Sequence, residues 1–470
     1  MTLSFDLAAC RRGLVVAPAG CGKTQVIVDS LMGGAEDTAL VLTHTNAGVA
    51  ALRARLIRAG IDRTRYRLAT IDGWALRLVA AFPSLAGFVV KGQVKPNYDA
   101  LRKAAARAVA SGALDEPIRA SYDRLIVDEY QDCCNLQHGL VLALAERLPT
   151  SLLGDPMQRI FDFRPGTLPD WTTVVCRDFP VVQTFQEPWR WTNAGERAFG
   201  VWVLQARADL EARRGVDLAR APANVRWIAK SADAHALAAA QRQAVGAVRS
   251  SASEGLLVIG DSMRPVTRTE FARLSPGLQV VEPVDLKDLL EAAEQIDRTR
   301  DVDRLGTVLE FAARVMTGID IPALGVRLES LANGGARTPA DDREASCLAF
   351  LQTDDWANVL AVLDAFAAQP SHQIFRREVF NAMQDALRKA DAQGLTLTEA
   401  SVLVREQRRA TGKPMPQRAV GSTLLLKGLE AEHAVILDAD AMNARHLYVA
   451  LSRASKSLTV FSSQSMLNPA

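Results

Sequence analysis

The chain is poor in cysteine, in long apolar runs and in charge of one sign, and each shortage excludes something. Its six cysteines (Cys10, Cys21, Cys133, Cys134, Cys176 and Cys347) form no C-x-x-C pair and no zinc-like spacing among 470 residues. Neither a disulfide framework nor a zinc module is expected, and the setting implied is a reducing cytoplasm. The longest apolar runs, such as LVLALA at 140–145, fall far short of the roughly 20 residues a membrane span requires. The opening MTLSFDLAACRR lacks a basic-then-apolar signal pattern. Lys and Arg total 55 against 53 Asp and Glu, a net charge of +2, so bulk charge identifies no partner. No internal repeat and no low-complexity tail stands out. The remainder is ordinary globular protein, 49% hydrophobic and 23% charged, with enough length for about three domains.

Positive charge is concentrated in one place. Arg53, Arg55, Arg58, Arg63, Arg65 and Arg67 face a single acid, Asp62, within fifteen positions. Charge alone reads equally as a solvated helix face with a loop or as a track for a phosphate backbone.

The first 190 residues alternate short apolar runs with helical patterns. The runs GLVVA (13–17), ALVLT (39–43), RLIVDE (124–129) and SLLGD (151–155) predict strands; helices are expected at 23–32, 46–59, 71–80, 99–110 and 135–147. That alternation predicts an α/β fold with a parallel sheet, whose ligands gather at the carboxyl ends of strands. A second α/β stretch follows, with VRWIA (225–229), a helix through 232–249 and LLVIG (256–260). Residues from about 285 to 395 look almost wholly helical, and strand character returns at AVGSTLL (419–425) and HAVILDA (433–439). A polar break, NGGARTPADD, lies at 333–342.

The segment APAGCGKT at 17–24 joins a strand to a helix and has the chemistry of a phosphate-cradling loop. Backbone N–H groups of Ala19, Gly20, Cys21 and Gly22 can wrap a β-phosphate, and the helix beginning near Lys23 adds its positive end. Lys23 would reach the β- and γ-phosphates and the Thr24 hydroxyl would bind Mg²⁺. Ala17 takes the position usually held by the first glycine. In LIVDEYQD (125–132) a buried strand delivers two acids, Asp128 for Mg²⁺ and Glu129 to orient or deprotonate water. The two motifs together predict ATP hydrolysis with ATP and Mg²⁺ as ligands.

VDEYQD resembles motif II of the UvrD/Rep-like superfamily 1 DNA helicases, and other segments are similar to further motifs of that family in its own order. LLGDPMQRIFDFRPG (152–166) resembles motif III, QEPWRWT (186–192) motif IV, LLLKGLEAEHAVIL (424–437) motif V, LYVALSRASKSLTV (447–460) motif VI and VLTHTNAGVAALRARL (41–56) motif Ia. The resemblance spans position 17 to about 460. It implies two RecA-like P-loop NTPase lobes with parallel sheets, a reduced 1B-like insertion and a mainly helical 2B-like insertion. The expected boundaries are 1–190 for the first lobe with its insertion at about 84–122, 191–284 and 396–470 for the second lobe, and 285–395 for the helical insertion.

By the same resemblance Gln158 senses the γ-phosphate, while Arg190 and Arg453 stabilise charge during phosphoryl transfer. Trp189 stands where an aromatic stacks on adenine, with core packing as the other reading, and Glu430 where an acid holds the ribose. Thr43, His44, Asn46 and Thr70 would lie along a DNA strand, with the arginine run extending that track. Phe161, Phe163 and Arg164 would form a stacking platform or, alternatively, part of the core.

Several positions depart from the family pattern. No glutamine precedes the phosphate loop, His44 replaces a phenylalanine, Ile71 and Asp72 replace an aromatic and a histidine, and Leu424 replaces a histidine. These losses concern adenine recognition and strand contact, whereas the hydrolytic residues are kept. The leading expectation is a single-stranded-DNA-stimulated ATPase translocating 3′ to 5′, acting on a single strand or a 3′-tailed duplex. The alternative is a nucleic-acid-sensing ATPase switch that regulates a partner nuclease, as compact UvrD-like proteins do in Gabija-type anti-phage systems. A purely structural role is the third reading, and the intact Lys23, Glu129, Gln158, Arg190 and Arg453 argue against it. The sequence leaves oligomeric state open.

Overall fold

The computed structural model of the chain describes residues 5–33, 37–89, 97–161, 166–248, 254–411 and 416–469. It has an α/β fold with two six-stranded sheets and a helical region. Contacts divide the chain into two units: Met1–Trp227 with Ala439–Leu458 and Gln464–Ala470, and Ile228–Asp438 with Thr459–Ser463.

The first unit is built on β1 (Arg12–Val16), β2 (Ala39–Thr43), β3 (Tyr66–Thr70), β4 (Arg124–Val127), β5 (Thr150–Gly154) and β6 (Val181–Thr184), in spatial order β3-β2-β4-β5-β1-β6. Every neighbouring pair is parallel. Strands β2, β4 and β5 are buried at every position, which is why they read as continuous apolar runs rather than alternating ones. Helices cover both faces. Helices α1 (Lys23–Gly33) and α2 (Asn46–Arg58) share one apolar cluster with Val15, Val41 and Ile126. Helix α3 (Ile71–Ala81) joins the helices Tyr98–Ala110 and Asn135–Ala145 in a second cluster, with Leu14, Leu40 and Val127.

Strands β3 and β6 of this sheet were not expected from the sequence, and β3 shows why. Its residues YRLAT follow Arg63 and Arg65 and carry Arg67, so no apolar run marks it. An edge position resolves this, because an edge strand keeps one side in water and tolerates charge there.

The remaining strands are β7 (Val216–Asp217), β8 (Val225–Ala229), β9 (Leu256–Ile259), β10 (Gln279–Val280), β11 (Arg418–Gly421), β12 (Ala431–Ile436), β13 (Ala454–Ser462) and β14 (Met466–Leu467). Strands β7 and β14 form an antiparallel pair, and the second large sheet has the order β10-β11-β9-β12-β13-β8. The strand expected at 419–425 ends at Gly421. The Ser422 hydroxyl then accepts the Leu425 N–H and starts the short helix Thr423–Leu426, so the backbone leaves the sheet earlier than its apolar residues suggest.

The helical region of the second unit runs from Lys287 to Thr411 as seven helices. Leu289, Ile296, Phe311, Phe350, Phe366, Phe380 and Met383 belong to its common core. Among the described residues no helix is long and apolar enough to cross a membrane.

Candidate nucleotide site

The phosphate loop leaves β1 and enters α1. Gly20 and Gly22 have φ of +72° and +92°, a region that L side chains rarely adopt. At Gly20 the constraint is also steric: a Cβ would lie 2.6 Å from Trp191 Cζ3 and 2.9 Å from Arg190 Cβ. The Gly20 carbonyl accepts the Arg190 N–H at 3.0 Å, and the Ala17 N–H donates to the Gly154 carbonyl at 3.0 Å. The Ala19 N–H donates to the Tyr448 hydroxyl at 2.8 Å. Cys21 is buried, and burial together with nearby Asp155 pushes its thiol up to about 12, so it is no nucleophile.

Two acids that directly follow β4 meet this loop, because β4, β5 and β1 are neighbours. Lys23 forms an ion pair with Glu129 and approaches Asp128 Oδ1 at 3.4 Å. Burial alone would lower the Lys23 pKa, but Asp128 and Glu129 outweigh it and hold the ammonium charged. Burial raises the Asp128 pKa, against the pull of Lys23. Its buried Oδ1 accepts no hydrogen bond among the described residues. A buried carboxylate oxygen whose one close polar contact among the described residues is the Lys23 ammonium at 3.4 Å, one position from Glu129, fits a divalent cation.

Glu129 itself has φ of +54°, an uncommon conformation for a non-glycine residue and a mark of local strain. Gln131 braces this turn. Its amide nitrogen donates to Glu129 Oε2 and its amide oxygen accepts the Asp155 N–H at 3.1 Å. Asp155, fully buried, accepts from Gln158 Nε2 at 3.1 Å and from Arg207 Nη2 at 2.8 Å. A continuous polar chain thus runs from Lys23 through Glu129, Gln131 and Asp155 to Gln158.

Arg190 and Arg453 converge on Ser452. Arg190 donates to the Ser452 carbonyl, while Arg453 donates to the Ser452 hydroxyl at 2.9 Å and to the Val449 carbonyl at 2.8 Å. The tryptophans of WRW separate cleanly. Trp191 is fully buried with its indole N–H on the Ala454 carbonyl at 2.8 Å, whereas Trp189 is half-buried.

The expected strand positions are more dispersed. Thr43 and Thr70 are paired across β2 and β3. Thr43 is buried, and the Thr70 hydroxyl caps α3 by accepting the Gly73 N–H at 2.9 Å. Asn46 is exposed at the start of α2, and His44 lies 6.2 Å from Phe161, ring to ring. Asp72 is engaged internally, with Arg102 at 2.6 Å and Gln137 at 3.0 Å. Glu430 is exposed and belongs to the second unit. Phe163 and Arg164 lie outside the described residues.

Residues 6–164 match the family model of an AAA domain. The match covers about a third of the chain and contains the phosphate loop, both acids and Gln158. Two solved structures of arterivirus nonstructural protein 10, titled as a helicase and in one case solved in complex with DNA, are similar at 8% identity and TM-score 0.32. Each match covers 96% of this chain, which spans 60% and 59% of theirs. No curated protein matches the sequence.

Sequence reasoning missed four residues of this site. Gln131 and Asp155 stand inside the quoted motifs and were legible there as polar groups at strand ends. Tyr448 stands inside LYVALSRA, but nothing local ties it to Ala19. Arg207 sits on the helix Arg197–Glu211 with no sequence signal at all.

The residue after Glu129 opens a second network. The Tyr130 hydroxyl lies 2.6 Å from His138 Nδ1, and His138 Nε2 lies 3.0 Å from Asp178. Burial lowers the His138 pKa below 6.5 despite Asp178. The unfolded chain therefore takes this proton more readily, so stability is lost as pH falls from about 6.5 towards the folded value. Denaturant titrations of wild type and His138→Asn between pH 7.5 and 5 should show a smaller acid loss in the variant. Equal losses would assign the acid limb to other groups.

Proposed function

We propose that the protein is an ATPase stimulated by single-stranded DNA, moving 3′ to 5′ along one strand and opening 3′-tailed duplex as UvrD/Rep-type motors do. The observation that carries this reading is the chain Lys23–Glu129–Gln131–Asp155–Gln158, which joins the phosphate loop to the segment resembling motif III. In this scheme Lys23 binds the terminal phosphates, Glu129 orients the attacking water and Gln158 reads the γ-phosphate. Thr24 and Asp128 would hold Mg²⁺. When bound, the ion neutralises charge on the phosphate oxygens. Arg190 and Arg453 stabilise the charge that develops during transfer. Trp189 and Glu430 are the proposed adenosine contacts. Thr43, His44, Asn46, Phe161, Phe163 and Arg164 are the proposed strand contacts.

One observation favours a second reading, a nucleic-acid-sensing switch that controls a partner nuclease and unwinds little. The positions on the strand side are closed on themselves: Thr70 serves as a helix cap, Ile71 is buried and Asp72 is bound to Arg102.

ATP turnover with and without oligothymidine, run beside unwinding of a 3′-tailed duplex, separates the two. Stimulation with unwinding supports the motor, and stimulation without unwinding supports the switch. Turnover indifferent to DNA would overturn both.

A further inference from the structure

Most of the arginine-rich segment lies away from the proposed strand contacts. Strands β2, β3 and β4 are parallel, so their carboxyl ends at Thr43, Thr70 and Val127 lie on one edge of the sheet, beside the nucleotide site. Helix α2 starts at that edge, capped by Thr45, and runs back through thirteen residues, about 20 Å at 1.5 Å per residue. The short helix Arg63–Arg65 then leads into the amino end of β3. Arg55, Arg58 and Arg63 therefore lie towards the opposite edge of the sheet from the phosphate loop.

Among the described residues, exposed arginines without a side-chain partner also occur singly, such as Arg77, Arg107 and Arg226, but here five fall within fifteen positions. Arg102, Arg147, Arg207, Arg304 and Arg376 each hold a carboxylate. Arg53, Arg55, Arg58, Arg63 and Arg67 are exposed, and none makes a side-chain hydrogen bond or ion pair among the described residues. Among the described residues the local acids are otherwise engaged: Asp62 accepts the N–H and hydroxyl of Thr64, and Asp37 pairs with Arg124. Arg55 and Arg58 in the last turn of α2 complement its dipole, but that account does not reach Arg63 or Arg67.

We propose that this edge binds the phosphate backbone of duplex nucleic acid, at a contact separate from the strand path. Guanidinium groups suit phosphate oxygens through paired hydrogen bonds, and Arg55 and Arg58 are neighbours on the helix surface, about 5–6 Å apart. The surface offers no base stacking, because Tyr66, the aromatic within it, is buried. A single strand held without stacking binds weakly. Duplex presents about twice the charge per unit length, one charge per roughly 1.7 Å against 3.4 Å for each strand, and a phosphate-only surface favours it. The role assigned rests on the DNA-dependent reading above: the edge would hold the duplex flanking the strand on which the motor or sensor acts.

The test uses the full chain carrying Arg55→Gln, Arg58→Gln and Arg63→Gln together, all exposed positions without partners among the described residues. Binding of a blunt fluorescent duplex is titrated across salt, and turnover is measured with oligothymidine. Duplex affinity should fall at least about tenfold, and the slope of log K against log salt should shrink by about 0.9 per lost phosphate contact. Oligothymidine stimulation should be unchanged. Unaltered duplex affinity and slope would overturn the inference. So would parallel loss of oligothymidine stimulation, which would return these arginines to the strand path. Wild-type turnover indifferent to oligothymidine would overturn the strand-acting reading instead, with the duplex titration still decisive for this edge.

Discussion

Glu129→Gln will lower ATP turnover by about a hundredfold to ten-thousandfold, the range that a positioned acid–base group contributes. The substitution keeps the shape of the side chain and its contact with Gln131, and removes the charge that would orient or deprotonate water. Lys23 retains Asp128 at 3.4 Å, so ATP should still bind. The expected signature is therefore loss of kcat with nucleotide affinity close to wild type, read by single-turnover hydrolysis and a fluorescent-nucleotide titration. Lys23→Ala should differ by losing affinity as well, because it removes the ammonium that meets the phosphates. Wild-type turnover in Glu129→Gln would end the assignment of Glu129 as the water-activating group.

Arg207→Met will destabilise the protein by about 3–5 kcal/mol, the cost of leaving one partner of a buried ion pair uncompensated. Asp155 is fully buried, and Arg207 approaches it through Nε at 3.1 Å and Nη2 at 2.8 Å. Only the Met157 N–H and the Gln158 amide would remain to satisfy the carboxylate. Because Gln158 hangs from the same carboxylate, turnover should fall alongside stability. Adding Asp155→Asn removes the stranded charge, so the double variant should be more stable than Arg207→Met alone. Denaturant midpoints of the four proteins in this cycle measure the coupling. A midpoint for Arg207→Met equal to wild type would show that the pair contributes nothing.

The two results bear on different links of one argument. Glu129 tests whether the strained turn after β4 carries chemistry. Arg207 tests whether a helix far along the chain holds Gln158, the proposed γ-phosphate sensor, in place. Losing both kcat and stability in Arg207→Met, with kcat alone lost in Glu129→Gln, is the pattern that the polar chain implies.

The sequence by itself determined the α/β class, the phosphate loop and the adjacency of its partners. Fully buried strands such as ALVLT and LIV advertise themselves as apolar runs, and a parallel sheet places the residues that follow such strands at one edge. Lys23, Asp128, Glu129 and Gln158 were legible for that reason, since each follows a strand within a few positions. Tertiary structure alone decided the rest. Edge strand β3 was hidden by its arginines, and Thr70, expected on the strand path, turned out to cap the helix that starts at Ile71. Trp191 rather than Trp189 fills the core because Gly20 and Ala454 close around it. Tyr448 reaches Ala19 across 429 positions, and Arg207 reaches Asp155 across 52. Periodicity and capping act over a few residues, whereas these contacts depend on how packed elements meet.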